Sequence, residues 1–211
     1  MSASTNKHKL VAIANPSSRH AESYRTLRAN IQFASRDRKL KVVLVTSSKP
    51  GEGKTTTAGN LAVLYAQLGK KTLLIDANLR KPDLHRYFNV ANRFGLTNVL
   101  SEEAILEHAV TANVYPNLTL MTSGSPTAFP SEMLASERFA QLMATLRELY
   151  DIIIVDAPSS LGTADSQQIA TMCDGSVLVV RRGASRRGEA HEAVAKLDHV
   201  HAGVIGVVLN R

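Results

Sequence analysis

Six short apolar runs punctuate the chain: Val42 to Val45, Thr72 to Ile75, Leu118 to Met121, Ile152 to Val155, Ser176 to Val180 and Val204 to Leu209. Most are continuously apolar rather than alternating, the pattern of strands covered on both faces. Between them, apolar positions recur every three or four residues in Ala58 to Leu68, Glu137 to Leu149, Ser166 to Met172 and Gly188 to Val200, which predicts helices. Strand and helix in alternation imply an α/β fold, a doubly wound, mostly parallel sheet flanked by helices, with ligands gathered at the C-terminal ends of the strands. Residues 1–20 contain Pro16-Ser17-Ser18 and no period, so they predict an irregular arm, leaving 21–211 as a single domain.

Composition narrows the partners. A chain of 211 residues that is 44% hydrophobic suits one domain with a substantial core. The 25 Lys+Arg against 18 Asp+Glu give +7, which favours anions, phosphorylated ligands being the simplest. Basic residues are spread through Lys7, Lys9, Arg19, Arg25, Arg28, Arg36, Arg38, Lys39 and Lys41, with another cluster at Arg181, Arg182, Arg186 and Arg187. No aromatic residues interleave with them, which argues against nucleic acid as a partner. The single Cys173 excludes an intrachain disulfide and a multi-cysteine metal site, and among the seven histidines only His199 and His201 come near metal-like spacing. No apolar run is long enough to cross a bilayer and the first residues lack a signal peptide's apolar core, so the expected location is the cytoplasm.

The chemistry concentrates where the first strand meets the first long helix. Ser47-Ser48-Lys49-Pro50-Gly51-Glu52-Gly53-Lys54-Thr55-Thr56 joins them and reads as a phosphate cradle. Gly51 and Gly53 let backbone N–H groups turn inward around an anion, Lys54 supplies charge to terminal phosphates, and the Thr55 hydroxyl is placed to hold magnesium. The following helix would direct its positive end at the same phosphates. Ser48 stands where the usual pattern has Gly, so the loop is a deviant Walker A form. Two further strands end in carboxylates, Asp76 and Asp156. Such a carboxylate beside a P-loop can hold Mg²⁺ directly or through water, or can simply cap the next turn.

Lys54-Thr55, Asp76-Ala77-Asn78-Leu79-Arg80-Lys81-Pro82 and Asp156-Ala157-Pro158 together resemble the Walker A, A′ and B motifs of the bacterial tyrosine kinases, cytoplasmic kinase subunits that govern capsule and exopolysaccharide synthesis. Glu22-Ser23-Tyr24-Arg25-Thr26-Leu27-Arg28 is similar to the helix through which family members assemble into rings. The resemblance spans residues 20 to 211 and implies a P-loop fold akin to the partitioning ATPases, with ATP and Mg²⁺ as nucleotide and cofactor. It implies that Pro50, Gly51, Glu52, Gly53, Lys54, Thr55 and Thr56 cradle the nucleotide, that Thr55, Asp76 and Asp156 serve the metal, and that Lys54, Asp76, Arg80 and Asp156 carry catalysis. Asp76 would bind the metal or accept the tyrosyl proton, which a phenol of pKa about 10 gives up reluctantly. Arg80 would steady phosphate charge or act as a surface ion-pair partner, and Asn210 would read the adenine edge or be a polar strand end. The implied partners are a homo-oligomeric ring, a membrane adaptor that activates the kinase and recruits it to the inner face of the membrane, protein tyrosine substrates and an opposing phosphotyrosine phosphatase.

Glu22, Arg25 and, one turn later, Arg28 or Ala29 also share a helical face on spacing alone, while Leu27, Ile31 and Ala34 can form an apolar stripe, which suits either a head-to-tail interface or a solvated helix. The chain departs from the family at Asn78, where a second acid is expected, at Ser159, and in its end: Arg211 follows a strand directly, and Tyr24, Tyr65, Tyr87, Tyr115 and Tyr150 are dispersed rather than clustered. If phosphorylation of a tyrosine tail loosens the ring, a form without one is expected not to switch itself off. Lys49, where partitioning ATPases carry a cross-dimer lysine, is expected to be a solvated loop residue. The rival readings are a nucleotide-switched partitioning or positioning ATPase and an inactive ring-forming scaffold.

Overall fold

A computed structural model describes residues 9–34 and 40–210. The arm's first eight residues, the basic Arg36, Arg38 and Lys39, and Arg211 lie outside them. The elements run α1 (Val11–Ala14), α2 (Arg19–Ala34), β1 (Val42–Ser47), α3 (Lys54–Ala66), β2 (Thr72–Asp76), α4 (Leu84–Tyr87), α5 (Leu96–Leu100), α6 (Leu106–Ala109), β3 (Val110–Tyr115) and β4 (Leu118–Met121), then α7 (Pro130–Leu134), α8 (Glu137–Leu149), β5 (Ile152–Asp156), α9 (Asp165–Ala170), β6 (Gly175–Arg181), α10 (Arg187–His199) and β7 (Val204–Asn210).

The strands form one sheet in the order β3-β4-β2-β5-β1-β6-β7. All neighbours are parallel except β3 and β4. The continuous apolar runs have the physical cause their pattern implies. Val43 and Val45 face one core with Leu61, Leu64, Leu74 and Ile154, whereas Val42 and Leu44 face another with Leu73, Ile75, Phe139 and Ile153. Every residue of β1, β2 and β5 is buried. Helix α3 is covered nearly all round, between the sheet and α2, as an apolar helix at a P-loop must be to hold its N-terminus in place.

Two expectations need correction. The irregular arm reaches only part of the way: Leu10 and Ala12 are buried, Val11–Ala14 is a helical turn, and Ala12 donates its N–H to Asn60 Oδ1 at 2.8 Å. One turn is too short to carry a period. Strand β3 is absent from the pattern because it is an antiparallel edge strand with no residue buried, an irregular register between Thr111 and Tyr115 and Asn113 at φ 55°. In α2, Leu27 and Ile31 pack inward as expected, while Ala34 is exposed.

Candidate active site

The P-loop is shaped by its own side chains before any ligand enters. Gly51 and Gly53 have φ of 84° and 94°, the left-handed region that glycine enters without strain. Glu52, only 3% exposed, turns its carboxylate into the loop. It accepts from Ser48 Oγ at 2.9 and 3.0 Å, from the Lys49 N–H at 2.8 Å, and from Ser185 Oγ in the β6–α10 connection. Its side chain is therefore loop scaffold, and its part in a phosphate cradle is left to its backbone. Lys49 extends to Glu189 at 2.5 Å, so the solvated lysine expected there is an exposed ion pair. Lys54 Nζ lies 3.3 Å from Thr55 Oγ1 at the start of α3, and Thr56 Oγ1 is hydrogen-bonded to the Tyr87 hydroxyl at 2.8 Å.

Register brings the two acids together. Asp76 and Asp156 are paired residues on β2 and β5, and Asp156 also pairs with Val45 of β1. Both are 0% exposed, but their partners differ. Asp76 accepts three backbone N–H groups, from Asn78 at 3.2 Å, Asp83 at 3.0 Å and Leu84 at 3.0 Å. Neither oxygen of Asp156 has a hydrogen-bond partner among the described residues. Burial pushes the Asp76 carboxyl up to about 7, with repulsion from Asp156 adding to it and the three N–H groups opposing it. Burial likewise raises Asp156, to about 6, against the pull of the nearby Lys54 ammonium and Thr55 hydroxyl. A buried carboxylate whose oxygens are both unmet, beside a hydroxyl and a second acid, is what a hard divalent cation completes.

The other predicted residues are placed differently from one another. Asn210 belongs to the site: Nδ2 donates to the Glu52 carbonyl at 3.0 Å and lies over Gly53, where a Cβ would sit 2.1 Å from it. Arg80 takes its ion-pair alternative, with Nε 2.7 Å from Asp165 Oδ2 and Nη2 2.9 Å from Ser131 Oγ. The α2 residues divide. Glu22 and Arg25 form an outward i,i+3 pair at 2.9 Å, whereas Arg28 turns inward and donates to the Leu64 carbonyl at 3.0 Å. Asn78, the departure from the acidic pattern, donates Nδ2 to the Lys81 carbonyl at 2.9 Å, a bond a carboxylate cannot make. Sequence reasoning missed the loop role of Glu52 and the whole of Asp165, which lies 85 residues from Arg80 and outside any motif.

Residues 40–190 match the AAA domain family. Tyrosine-protein kinase YwqD of Bacillus subtilis is 43% identical over 204 residues, covering 97% of this chain and 86% of the relative. The chain belongs to the bacterial tyrosine kinases. Solved members of that kinase fold superpose closely. The chimerical protein CapA2B2 matches with a TM-score of 0.92 at 35% identity, over 96% of this chain and 89% of its own. The kinase domain of the Escherichia coli tyrosine kinase ETK matches with 0.91 at 30% identity, over 95% and 79%. The septum site-determining protein MinD of Pyrococcus horikoshii shares the fold alone, at a TM-score of 0.71 and 24% identity over 81% of this chain and 70% of its own. A P-loop kinase fold implies nucleotide binding, and among the described residues no helix is long and apolar enough to cross a membrane.

Proposed function

We propose that this chain is a Mg-ATP-dependent protein-tyrosine kinase of the autophosphorylating type, acting in capsule or exopolysaccharide synthesis. The observation that carries the reading is the unmet, fully buried Asp156 carboxylate in register with Asp76 at the mouth of the P-loop. The N–H groups of Gly51 to Thr56, with the α3 N-terminus behind them, receive the phosphates, and Lys54 neutralises the outer pair. Thr55 and Asp156 would hold Mg²⁺, which when bound offsets charge on the phosphates during transfer. The free oxygens of Asp156 suit it to direct ligation. Asp76 has its lone pairs shared among three N–H groups and a carboxyl near neutral, which suits it to accept the tyrosyl proton. Asn210 stands over the loop where a base edge is read.

Glu22 and Arg25 offer their charges outward from α2, supporting a ring in which Arg28 fixes the helix to α3 rather than meeting a neighbour. A membrane adaptor would bring such a ring to the bilayer. The full chain, incubated with γ-labelled ATP, Mg²⁺ and the cytoplasmic tail of a candidate adaptor, is expected to yield phosphotyrosine that disappears in Lys54→Met. ATP binding without tyrosine labelling would sink the kinase reading in favour of a scaffold, and DNA or lipid binding with slow hydrolysis would favour a positioning ATPase.

A further inference from the structure

We infer that Asp165 is a positioning residue of this site, fixing through Arg80 the loop that holds Asp76. The inference rests on the nucleotide-and-metal reading above. The three N–H groups that meet Asp76 belong to the loop that follows it, so loop and carboxylate form one body closed on itself. The Ala77 N–H donates to the Asp156 carbonyl at 2.9 Å and Leu79 and Leu84 are buried in the two cores, and Arg80 adds a side-chain tie from the loop to α7 and α9. Its guanidinium meets Asp165 at 2.7 Å through Nε and 3.3 Å through Nη2, and Ser131 Oγ at 2.9 Å, while Ser131 donates back to Asp165 at 2.6 Å.

This triangle is lopsided in burial: the Asp165 side chain is 2% exposed and Arg80 43%. A carboxylate is not buried to that degree without a cation and hydrogen bonds to meet it, so Arg80 has little freedom to leave. Burial alone would raise the Asp165 carboxyl, but the bonds from Arg80 and Ser131 outweigh it and hold it below its ordinary value, keeping it charged near neutrality. The topology gives the contact its consequence. Asp165 opens α9, nine residues after Asp156, so the connection that carries one acid also anchors the loop of the other. The β2–β5 ladder sets the backbone spacing of Asp76 and Asp156, and the ion pair braces the loop whose N–H groups orient the Asp76 carboxylate that a cation would meet.

The test measures Mg²⁺ coupling rather than turnover. A non-hydrolysable ATP analogue is titrated calorimetrically into the full chain with and without Mg²⁺, for wild type, Asp165→Asn, Arg80→Gln and the double variant. Without Mg²⁺ the variants are expected to bind within about twofold of wild type, while the tightening conferred by Mg²⁺ falls by about 10- to 100-fold. The double variant is expected to be no worse than either single one. Tightening retained in Asp165→Asn, losses that multiply in the double variant, or equal weakening without Mg²⁺ would each overturn the inference. If Asp165→Asn does not fold, Ser131→Ala removes one side of the triangle and should lose part of the tightening; full retention there refutes the role. Failure of the kinase reading shows separately, as a wild type that binds Mg-nucleotide with this coupling but labels no tyrosine.

Discussion

Asp76 and Asp156 sit opposite one another in the parallel ladder of β2 and β5, both fully buried, one with three hydrogen bonds and the other with none. Two carboxylates in that position repel, and whichever ionises second does so late. A fold keeps such a pair only if something else is meant to stand between them, and a divalent cation is the group that satisfies both charge and oxygen valence.

Stability of the metal-free chain should therefore fall as pH rises. Both folded-state values lie above the ordinary carboxylate pKa near 4, at about 7 for Asp76 and about 6 for Asp156. The stabilisation is fully present below the unfolded value and is lost as pH passes through about 6 to about 7. Calorimetric Tm without nucleotide or metal should decline between roughly pH 4 and 7, and Asp156→Asn should remove its own share and its repulsion of Asp76, leaving the decline that burial gives Asp76, while abolishing tyrosine transfer. Apparent Mg²⁺ affinity should rise over the same interval as protons are displaced. A wild-type Tm that stays level across it would refute the shifted pair.

The two P-loop glycines are not equivalent. Both are left-handed, so Ala costs about 1 kcal/mol of backbone strain at either. A Cβ on Gly51 meets nothing within 4 Å, whereas one on Gly53 sits 2.1 Å from Asn210 Nδ2 and must push that amide off the Glu52 carbonyl. Gly53→Ala should thus cost about a further 1 kcal/mol and weaken ATP-analogue binding more than Gly51→Ala does. Parallel fluorescence titrations of the two variants decide it, and equal losses would remove Asn210 from the site.

How much of this was legible in the chain depends on separation. The central strands announced themselves because burial on both faces forces an unbroken apolar run, and the P-loop because its spacing is local. The acids at strand ends were readable for the same reason. What stayed hidden depends on contacts between distant segments. Glu52 reads as one more member of the nucleotide cradle until Ser185, 133 positions on, is brought beside it. Arg80 offered two roles, and only folding put Asp165 and Ser131 around it. Strand β3 was hidden by chemistry, since an exposed antiparallel edge built on Thr111, Ala112 and Asn113 leaves no apolar signature.

Glu52 itself is open to test. Replacing it with Ala orphans the Ser48 hydroxyl and the Lys49 N–H and unties the loop from Ser185. A loss of about 1–3 kcal/mol is expected, from the cost of leaving buried donors unmet. Because the side chain shapes the cradle without touching its contents, the KM for ATP should rise with kcat little changed. A fall in kcat at unchanged KM would instead give Glu52 a direct part in transfer.

Asp174, together with Asp165, supplies the opposing limb of the pH profile. It accepts the N–H groups of Lys41 and Val42, both at 2.7 Å, where β1 enters the sheet, and a two-pronged contact from Arg147 at 2.8 and 3.1 Å. Burial raises its carboxyl, but Arg147 and the two N–H groups prevail and hold it below its ordinary value. Its contribution is then present above the unfolded carboxylate pKa and lost as pH falls through the lower folded one. Asp174→Ala should cost about 2–4 kcal/mol near neutrality by orphaning the first donors of β1. Asp174→Asn keeps an acceptor for them and loses the ion pair, for about 1 kcal/mol. In urea melts from pH 2 to 8 the wild type should be most stable between the two limbs, at about pH 4, and Asp174→Asn should flatten only the acid side. Flattening on the alkaline side instead would mean that the strand anchor and the buried pair had been assigned to the wrong limbs.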